Sequence, residues 1–342
     1  MKKYILKVAI IALVFVFVVA AILSIKYITE ISEELNETSS ENKDNLLPEY
    51  HVMIIANELN YSSRKAFING VNEACKDYNV VVEINEYKRE RVEEQIKNIA
   101  IAVASKVDAI IVQVTEQDLF EDEINKAIDA GIPVITIFED SARSKRLSFI
   151  GVNSYELGKR AAQLASKAVD NKGEMAIIFD GLEEKSFDTS KNLIEGGVRE
   201  GLFITPQLTI KKTDISTTGI LGAGDIAKEI IREHRGVNVI FCTSINTTKG
   251  VAQAIVDLNM VGKIKIIGYG DDQDILKYID VNVIDVSIVS DTKSIGYESI
   301  ESAIKYIKEG SISDFKDTGI YVIDETNISS YIEKLIEEGG DF

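Results

Sequence analysis

The sequence predicts an α/β protein with two doubly wound parallel-sheet lobes, preceded by one transmembrane helix. Three observations predict this fold class. Short β-branched apolar runs alternate with amphipathic helical stretches from residue 51 onward, which is typical of βα units around a parallel sheet. A second series of the same kind begins at residues 154–169, and an uncharged apolar run precedes both. With 342 residues, 45% of them hydrophobic and 27% charged, the chain is long enough for two domains.

The apolar run at residues 8–25 predicts a membrane-spanning helix, because at roughly 1.5 Å per residue it nearly spans a hydrocarbon core of about 30 Å. Lysines precede the run at positions 2, 3 and 7, and glutamates follow it from position 30. The positive-inside bias therefore predicts a cytoplasmic N-terminus at residues 1–7 and an extracytoplasmic body. A cleaved signal peptide is the alternative, but no small-x-small site with polar residues behind it ends the run. We expect a single-pass protein of the cell membrane.

Residues 26–48 predict a short juxtamembrane helix and then a linker. Ile28, Ile31 and Leu35 have helical spacing, after which Ser, Asn, Asp and Lys become frequent. The apolar stripe either pairs with a partner helix or simply continues the transmembrane helix.

The body begins with a predicted strand, HVMIIA (51–56), and a predicted helix, RKAFINGVNEACKDY (64–78). The first series continues with the strand VVVEI, a helix through Ile99 to Ala104, the strand DAIIVQV, a helix near Ile124 to Ala130, and the strand IPVITIF. The second series contains the helix at 154–169, the strand EMAIIFD, a helix near Lys191 to Glu200, the strand QLTIKK, a helix around Ile226 to Glu233, the strand NVIFCT, the helix GVAQAIVDL, and the strands KIKIIGYG and IDVSIVS. Open α/β sheets bind ligands at the carboxyl ends of their strands, so we expect a ligand site in the cleft between the lobes.

The composition argues against several classes of partner and chemistry. The formal net charge of -17 repels nucleic-acid phosphates. The two cysteines, Cys75 in a helix and Cys242 in a strand, lack the spacing of a metal or redox motif and predict free, mostly buried thiols. His51 and His234 suggest no nucleophile–base pairing. The acidic stretch at 268–274 lacks the EF-hand alternation of carboxylates. We expect no enzyme activity, no metal and no cofactor.

Three stretches resemble a known family. Residues 133–159 read PVITIFEDSARSKRLSFIGVNSYELGK, residues 241–255 read FCTSINTTKGVAQAI, and residues 266–299 read IIGYGDDQDILKYIDVNVIDVSIVSDTKSIGYES. They resemble the type I periplasmic-binding-protein family, in its sugar-binding branch of ribose- and xylose-binding proteins. The resemblance covers roughly residues 51–342.

This resemblance implies two lobes joined by a three-strand hinge. Lobe one would contain residues 49–152 and 291–318, and lobe two residues 153–290 and 319–342. A ligand would be held between the lobes by aromatic faces and polar side chains, and hinge closure would accompany its binding.

The resemblance also implies a set of ligand-binding residues at the ends of strands. Tyr61 and Phe138 would supply apolar faces, while Asp140, Asn246 and Asp271 would supply hydrogen-bond partners. The alternative for the polar members is helix capping, and the alternative for Arg64 is a solvated charge. The predicted set is Asn57, Tyr61, Arg64, Phe138, Asp140, Lys191, Ser244, Asn246, Tyr269, Asp271 and Asp291.

Three functions are compatible with these features. The first is a membrane-anchored receptor that binds a sugar-like small molecule and signals to a partner such as a sensor histidine kinase, as in the membrane-anchored xylose-binding sensors that the chain resembles. The second is the substrate-binding component of a sugar ABC importer, with a permease as partner. The third is an interaction scaffold that binds no ligand, because Phe138 and Ser244 replace residues usual in the family. A retained helix favours the first.

Overall fold

The computed structural model of this protein describes residues 48–181 and 189–337. The expected cytoplasmic segment at 1–7, transmembrane helix at 8–25 and most of the juxtamembrane segment, 26–47, lie outside the described residues. Within those two ranges, no helix is both long enough and apolar enough to cross a membrane.

Six strands form the first sheet. They are β1 (Tyr50–Asn57), β2 (Val80–Tyr87), β3 (Ala109–Gln113), β4 (Val134–Ile137), β5 (Ser148–Gly151) and β11 (Phe315–Asp317). Their order across the sheet is β11-β5-β4-β3-β1-β2, and every pairing is parallel. All five residues of β3 are buried, as expected for a central strand that helices cover on both faces.

Six further strands form the second sheet. They are β6 (Gly173–Asp180), β7 (Leu208–Ser216), β8 (Val237–Cys242), β9 (Lys265–Tyr269), β10 (Val286–Ser290) and β12 (Ile320–Asp324). Their order is β12-β10-β9-β8-β6-β7. The prediction of two parallel-sheet lobes is confirmed, with the exception that the edge strand β12 runs antiparallel to β10.

Helices cover both faces of each sheet. They are α1 (Tyr61–Tyr78), α2 (Val92–Ser105), α3 (Gln117–Asp129), α4 (Ser154–Ala168), α5 (Thr189–Leu202), α6 (Gly219–Glu233), α7 (Ile245–Asp257), α8 (Gln273–Asp280), α9 (Thr292–Glu309) and α10 (Ile328–Glu337). Two apolar clusters flank the first sheet and two flank the second. We call the first sheet with α1–α3 and α9 lobe one, and the second sheet with its helices lobe two.

Some element bounds differ from those that the sequence predicts. Helix α6 begins at Gly219 rather than near Ile226. Gly224 therefore lies inside the helix, where its lack of a side chain allows close packing against the backbone of Gly250. Ser244, rather than Asn246, is the N-cap of α7. The two cysteines are free thiols, as predicted, with Cys242 buried in β8 and Cys75 half-buried.

Helices α1 and α9 pack unusually closely in lobe one. A β-carbon on Gly70 of α1 would lie 2.0 Å from the carbonyl oxygen of Lys293, and one on Gly296 of α9 would lie 2.3 Å from that of Phe67. Any larger side chain would push the helices apart, so glycine is required at both positions.

The chain crosses between the lobes three times, after β5, after β10 and after β11. Hydrogen bonds tie these crossings together. The Asp317 carboxylate accepts from the backbone N–H groups of Asn153, at 3.3 Å, and Gly319, at 3.0 Å. The N–H of Asp291 is 3.5 Å from the carbonyl oxygen of Gly319, which has a left-handed φ of 79°. The three crossings therefore form one connected hinge.

Candidate functional site

A cavity of about 560 Å³ lies between the lobes, at the carboxyl ends of strands from both sheets. Its position is the one in which open α/β sheets bind ligands, and its volume falls within the range of about 300–1,000 Å³ typical of small-molecule sites. Seven of the eleven predicted ligand residues line it. They are Asn57, Phe138, Asp140, Lys191, Ser244, Asn246 and Tyr269.

Asn57 ends β1 and forms part of the cavity wall, but its side chain is bonded within lobe one. Its Oδ1 accepts from Gln95 Nε2 at 2.6 Å, and its Nδ2 donates to Thr115 Oγ1 at 3.2 Å. Its backbone N–H donates to Gln113 Oε1 at 3.1 Å. Asn57, Gln95 and Thr115 are all buried. This network joins the ends of β1 and β3 to α2 and supports the wall.

Asp140 also lines the cavity and is held by a buried ion pair. Arg146 donates to both of its carboxylate oxygens, each at 2.7 Å, and Thr136 Oγ1 donates to Oδ1 at 2.8 Å. The Arg146 side chain is only 7% exposed. Burial opposes the charge of Arg146, but the bonds to Asp140 and Asp314 outweigh it and raise the pKa of the guanidinium. Asp140 is therefore bound to its own lobe.

Phe138 follows β4 and lines the cavity with its aromatic ring. Its φ of 61° lies in the left-handed region, which is a true outlier for a bulky residue. The conformation is held by a hydrogen bond from its N–H to the Ile150 carbonyl, at 3.2 Å, and by ring packing on Phe67, at 5.7 Å between centroids. Backbone strain of this kind clusters at ligand-binding and catalytic sites.

Ion pairs hold two of the cations on the cavity wall. Arg89, after β2, pairs with Glu139, after β4, at 3.2 Å. Lys249 of α7 lies 3.0 Å from Asp272 Oδ1 and 2.7 Å from Asp274 Oδ2. Burial opposes the charge of Lys249, but these two carboxylates outweigh it and raise the pKa of the ammonium, while Lys249 lowers the pKa of Asp274.

Asp180 is the last residue of β6 and lies on the lobe-two wall. Its Oδ2 accepts from Ser244 Oγ at 3.1 Å and from Asn246 Nδ2 at 3.2 Å. Ser244 also forms a capping box with Thr247 at the start of α7. Two predicted ligand residues are thus oriented by a carboxylate that the prediction omitted. We call Asp180, Ser244 and Asn246 the Asp180 cluster.

Tyr269 ends β9 and, like Phe179 of β6, lies on the lobe-two wall of the cavity. Its hydroxyl is hydrogen-bonded to Ser290 Oγ at the hinge, and its N–H donates to Thr248 Oγ1 at 2.9 Å. Burial raises the pKa of the Tyr269 phenol. Phe138 and Tyr269 therefore present apolar surface from opposite lobes, which suits a flat polar ligand.

Tyr61 and Arg64 lie outside the cavity lining. Tyr61 is 59% exposed, and the Lys65 ammonium lies 5.9 Å from its ring centre. Arg64 is paired with Glu86 through two hydrogen bonds of 2.8 Å from Nε and a contact of 2.7 Å from Nη2. Their roles in ligand binding stay predictions.

Asp271 and Asp291 lie beside the hinge and line a second cavity of about 380 Å³. Asp271 is buried and accepts from Ser63 Oγ of lobe one, at 3.3 Å, and from Tyr331 of α10, at 3.0 Å. Asp291 is the N-cap of α9 and accepts from the Ser294 N–H at 2.9 Å. These contacts join elements of the two lobes or start a helix, and the predicted ligand role of both residues stays a prediction.

Asp180, Arg89 and Glu139 line the cavity but are absent from the predicted ligand set. A signal for Asp180 exists in the sequence, because a charge directly after a buried strand points to the carboxyl edge of the sheet. No comparable signal marks the Arg89–Glu139 pair, whose members are 50 positions apart. Among the described residues, no group of three or more histidine, cysteine, aspartate or glutamate side chains could hold a metal ion.

One family model and one curated protein match this chain. The family model described as "Periplasmic binding protein domain" matches residues 52–311. Among curated proteins, the fructose import binding protein FruE of Bifidobacterium longum (strain NCC 2705) is 24% identical over 183 residues. That match covers 51% of this chain and 54% of FruE, so it spans about half the length of the curated relative.

Solved structures share the fold over most of their length. A sugar-binding protein of a sugar ABC transporter from Bacillus halodurans has a TM-score of 0.75 and 24% identity, covering 82% of this chain and 99% of that one. The structure titled "XylFII-LytSN complex" has a TM-score of 0.70 and 27% identity, covering 81% and 97%. The relatives are solute-binding proteins, which are not enzymes, and the prediction that this chain is not an enzyme is confirmed.

Proposed function

Because this chain belongs to the family of periplasmic binding protein domains through residues 52–311, we propose that it binds a monosaccharide or similar small polar ligand between its lobes. The observation that carries the proposal is the interlobe cavity, where aromatic rings from both lobes lie beside hydrogen-bonding groups. A sugar offers apolar ring faces and hydroxyl groups, and such a cavity matches both. Names of relatives support the ligand class, since they include a fructose import binding protein and a sugar-binding protein of an ABC transporter.

A ligand screen on the full chain in detergent tests this proposal. We expect a neutral monosaccharide at about 100 times its dissociation constant to stabilise the protein by ~2.7 kcal/mol, because it binds the folded state only. The screen includes D-fructose, D-arabinose, D-allose, D-tagatose, D-glucose and D-galactose, and calorimetry then confirms each hit. Asn246→Ala at the cavity and Asn259→Ala, after α7 and outside the cavity lining, form the matched pair. A response that Asn246→Ala retains in full, or no response to any sugar, would contradict the proposal.

We further propose that residues 8–25 stay attached and anchor the body on the outer side of the cell membrane. The support is the uncharged run, the lysines before it and the absence of a small-x-small site with polar residues behind it. Intact mass and N-terminal sequencing of protein extracted from membranes test this. A mature chain that starts near Leu23 would overturn the anchor.

The proposed role of the anchored receptor is to transmit ligand-dependent closure to a membrane partner such as a sensor histidine kinase. A relative with 27% identity is titled as a complex of XylFII with LytSN, which supports a receptor that works through a second protein. The import function named for FruE supports the second candidate, the binding component of an ABC importer. Mass spectrometry of proteins that co-purify with the full chain, with and without ligand, separates the two. A permease in place of a kinase would favour the importer.

A further inference from the structure

The Asp180 carboxylate is held in the cavity wall by neutral donors. Ser244 Oγ and Asn246 Nδ2 both donate to Oδ2, at 3.1 and 3.2 Å. Ser244 is itself fixed, because its Oγ accepts from the Thr247 N–H at 3.1 Å in the capping box of α7. The carboxylate also lies at the N-terminus of this 13-residue helix, whose dipole favours negative charge.

Three other carboxylates on the cavity wall are each neutralised by an ion pair with a nearby cation. Glu139 pairs with Arg89, Asp272 with Lys249, and Asp140 with Arg146. By contrast, the partners that the described residues give Asp180 are the uncharged Ser244 and Asn246. Asp180 therefore brings a negative charge to the cavity that no described cation balances.

The cavity lining as a whole has the same sign. Its described carboxylates are Glu58, Glu116, Glu139, Asp140, Asp180 and Asp272, while its described cations are Arg89, Lys191 and Lys249. A ligand with a carboxylate or phosphate would meet a net negative wall, and juxtaposed like charges suppress binding of the wrong partner.

We propose that Asp180 is the residue that selects ligands by charge. Its carboxylate accepts hydrogen bonds from a hydroxyl or ammonium group of the ligand and disfavours uronic acids and sugar phosphates. The Asp180 cluster thus admits neutral sugars and amino sugars. This inference rests on the proposed function, since it concerns the ligand class of the same cavity.

Matched sugars of one ring geometry test the inference on the full chain by calorimetry. The probes are D-glucose, D-glucosamine and D-glucuronate, together with D-galactose, D-galactosamine and D-galacturonate. For the natural chain, we expect the amino sugar to bind at least as tightly as the neutral sugar. We expect the uronate to bind at least about tenfold more weakly, because its carboxylate would face the like charge of Asp180; tenfold corresponds to about 1.4 kcal/mol.

Asp180→Asn removes the charge and keeps the shape of the side chain. We expect this variant to reduce the ratio of uronate to neutral-sugar dissociation constants about tenfold and to remove any preference for the amino sugar. Asp257→Asn is the control, since it removes the same charge at the opposite end of α7, where Asp257 lies 3.5 Å from Lys228 and outside the cavity lining. The control should retain the ratios of the natural chain. A purely structural role for Asp180 would weaken all probes equally.

The outcomes separate the inference from the proposed function. Binding of neutral sugars together with equal or tighter binding of the uronates overturns the inference and leaves sugar binding intact. The inference is also overturned if Asp180→Asn and Asp257→Asn give equal ratios of uronate to neutral-sugar dissociation constants. If neither these probes nor the neutral sugars of the wider screen bind, the proposed function fails, and the inference fails with it.

Discussion

Asn57 and Asp140 on the lobe-one wall of the cavity are held in a different way from Asp180 on the lobe-two wall. On the lobe-one wall, the side chains of Asn57 and Asp140 are held by Gln95 and by Arg146, which belong to the same lobe and are buried beside them. On the lobe-two wall, the Asp180 carboxylate is oriented by exposed or half-buried neutral groups. A polar residue at the cavity edge can therefore serve the fold or the ligand. The partners behind the residue, rather than its position, indicate which.

Arg146→Ala should produce the largest effect, and on stability. Removal of the guanidinium leaves the Asp140 carboxylate half-buried without its counter-charge, which typically costs about 3–5 kcal/mol. Lys145→Ala is the control, because Lys145 pairs with Asp129 at 2.6 Å but both side chains are more than half exposed; such pairs contribute about 0–1 kcal/mol. Urea unfolding measures the free energy of unfolding of both variants. Equal losses would show that the Arg146 pair does not support lobe one.

Asn57→Ala and Asn246→Ala test this difference between the lobes directly, because both asparagines line the cavity. Asn57→Ala leaves the buried Nε2 of Gln95 without its acceptor, while the bond from Thr115 Oγ1 to Gln95 Oε1 at 3.1 Å remains. The variant should lower the free energy of unfolding by about 1–3 kcal/mol. Asn246→Ala should change it by less than about 0.5 kcal/mol while weakening sugar binding. Thermal unfolding measures the stability of each variant, and calorimetry measures its affinity for the sugar. A stability loss at Asn246 as large as that at Asn57 would remove the distinction between the walls.

Phe138→Ala should weaken the binding of a neutral monosaccharide about two- to tenfold, because an aromatic face contributes about 0.5–1.5 kcal/mol beyond its buried area. Phe149→Ala is the matched control. Phe149 stacks on Phe315 at 5.5 Å, on β5 and β11, and does not line the cavity. The control should lose stability and keep its affinity. Calorimetry with a sugar from the screen measures the affinity of both variants. An unchanged affinity for Phe138→Ala would place the ligand elsewhere.

Asp271→Asn should have the smallest effect, on the pH dependence of binding. Burial raises the pKa of this carboxyl even though Tyr331 and Ser63 donate to it, and the neighbouring Asp272 adds to the rise. If opening of the lobes returns Asp271 to water, its pKa falls back toward the ordinary value of an aspartate side chain. The closed form then binds the proton more readily, so closure is favoured at low pH and loses this contribution as pH rises through the raised value. Affinity of Asp271→Asn, measured across this range, should be flatter than that of the natural chain, and parallel profiles would exclude the effect.

The fold was largely predictable because it depends on local periodicity. Runs such as AIIVQ in β3 and VNVIFC in β8 read directly as buried strands. The beginning of α6 was missed, since glycines within an apparent loop gave no sign that Gly224 packs against Gly250. The antiparallel direction of β12 depends on how the chain returns through the hinge, which no local pattern encodes.

The candidate site was only partly predictable, because each residue's role depends on partners that are distant in sequence. Asn57 lines the cavity, and its predicted ligand role stays a prediction. Gln95, which donates to Asn57 Oδ1, lies 38 positions away, and no sequence signal marks this bond. The sequence predicts Arg64 as a ligand group, and its contact with Glu86 of β2 has no sequence signal either. Strand ends predict where side chains lie, and the completed fold decides which of them remain available.

The close packing of α1 against α9 affects the order in which the molecule matures during synthesis. Most of lobe two is encoded without interruption from α4 to β10, so its core can assemble as soon as that segment leaves the ribosome. Lobe one must wait for α9, whose Ile295, Ile300 and Ile304 complete the apolar cluster on one face of its sheet. A nascent chain that stalls before residue 292 would expose that face and become a substrate for chaperones and proteases.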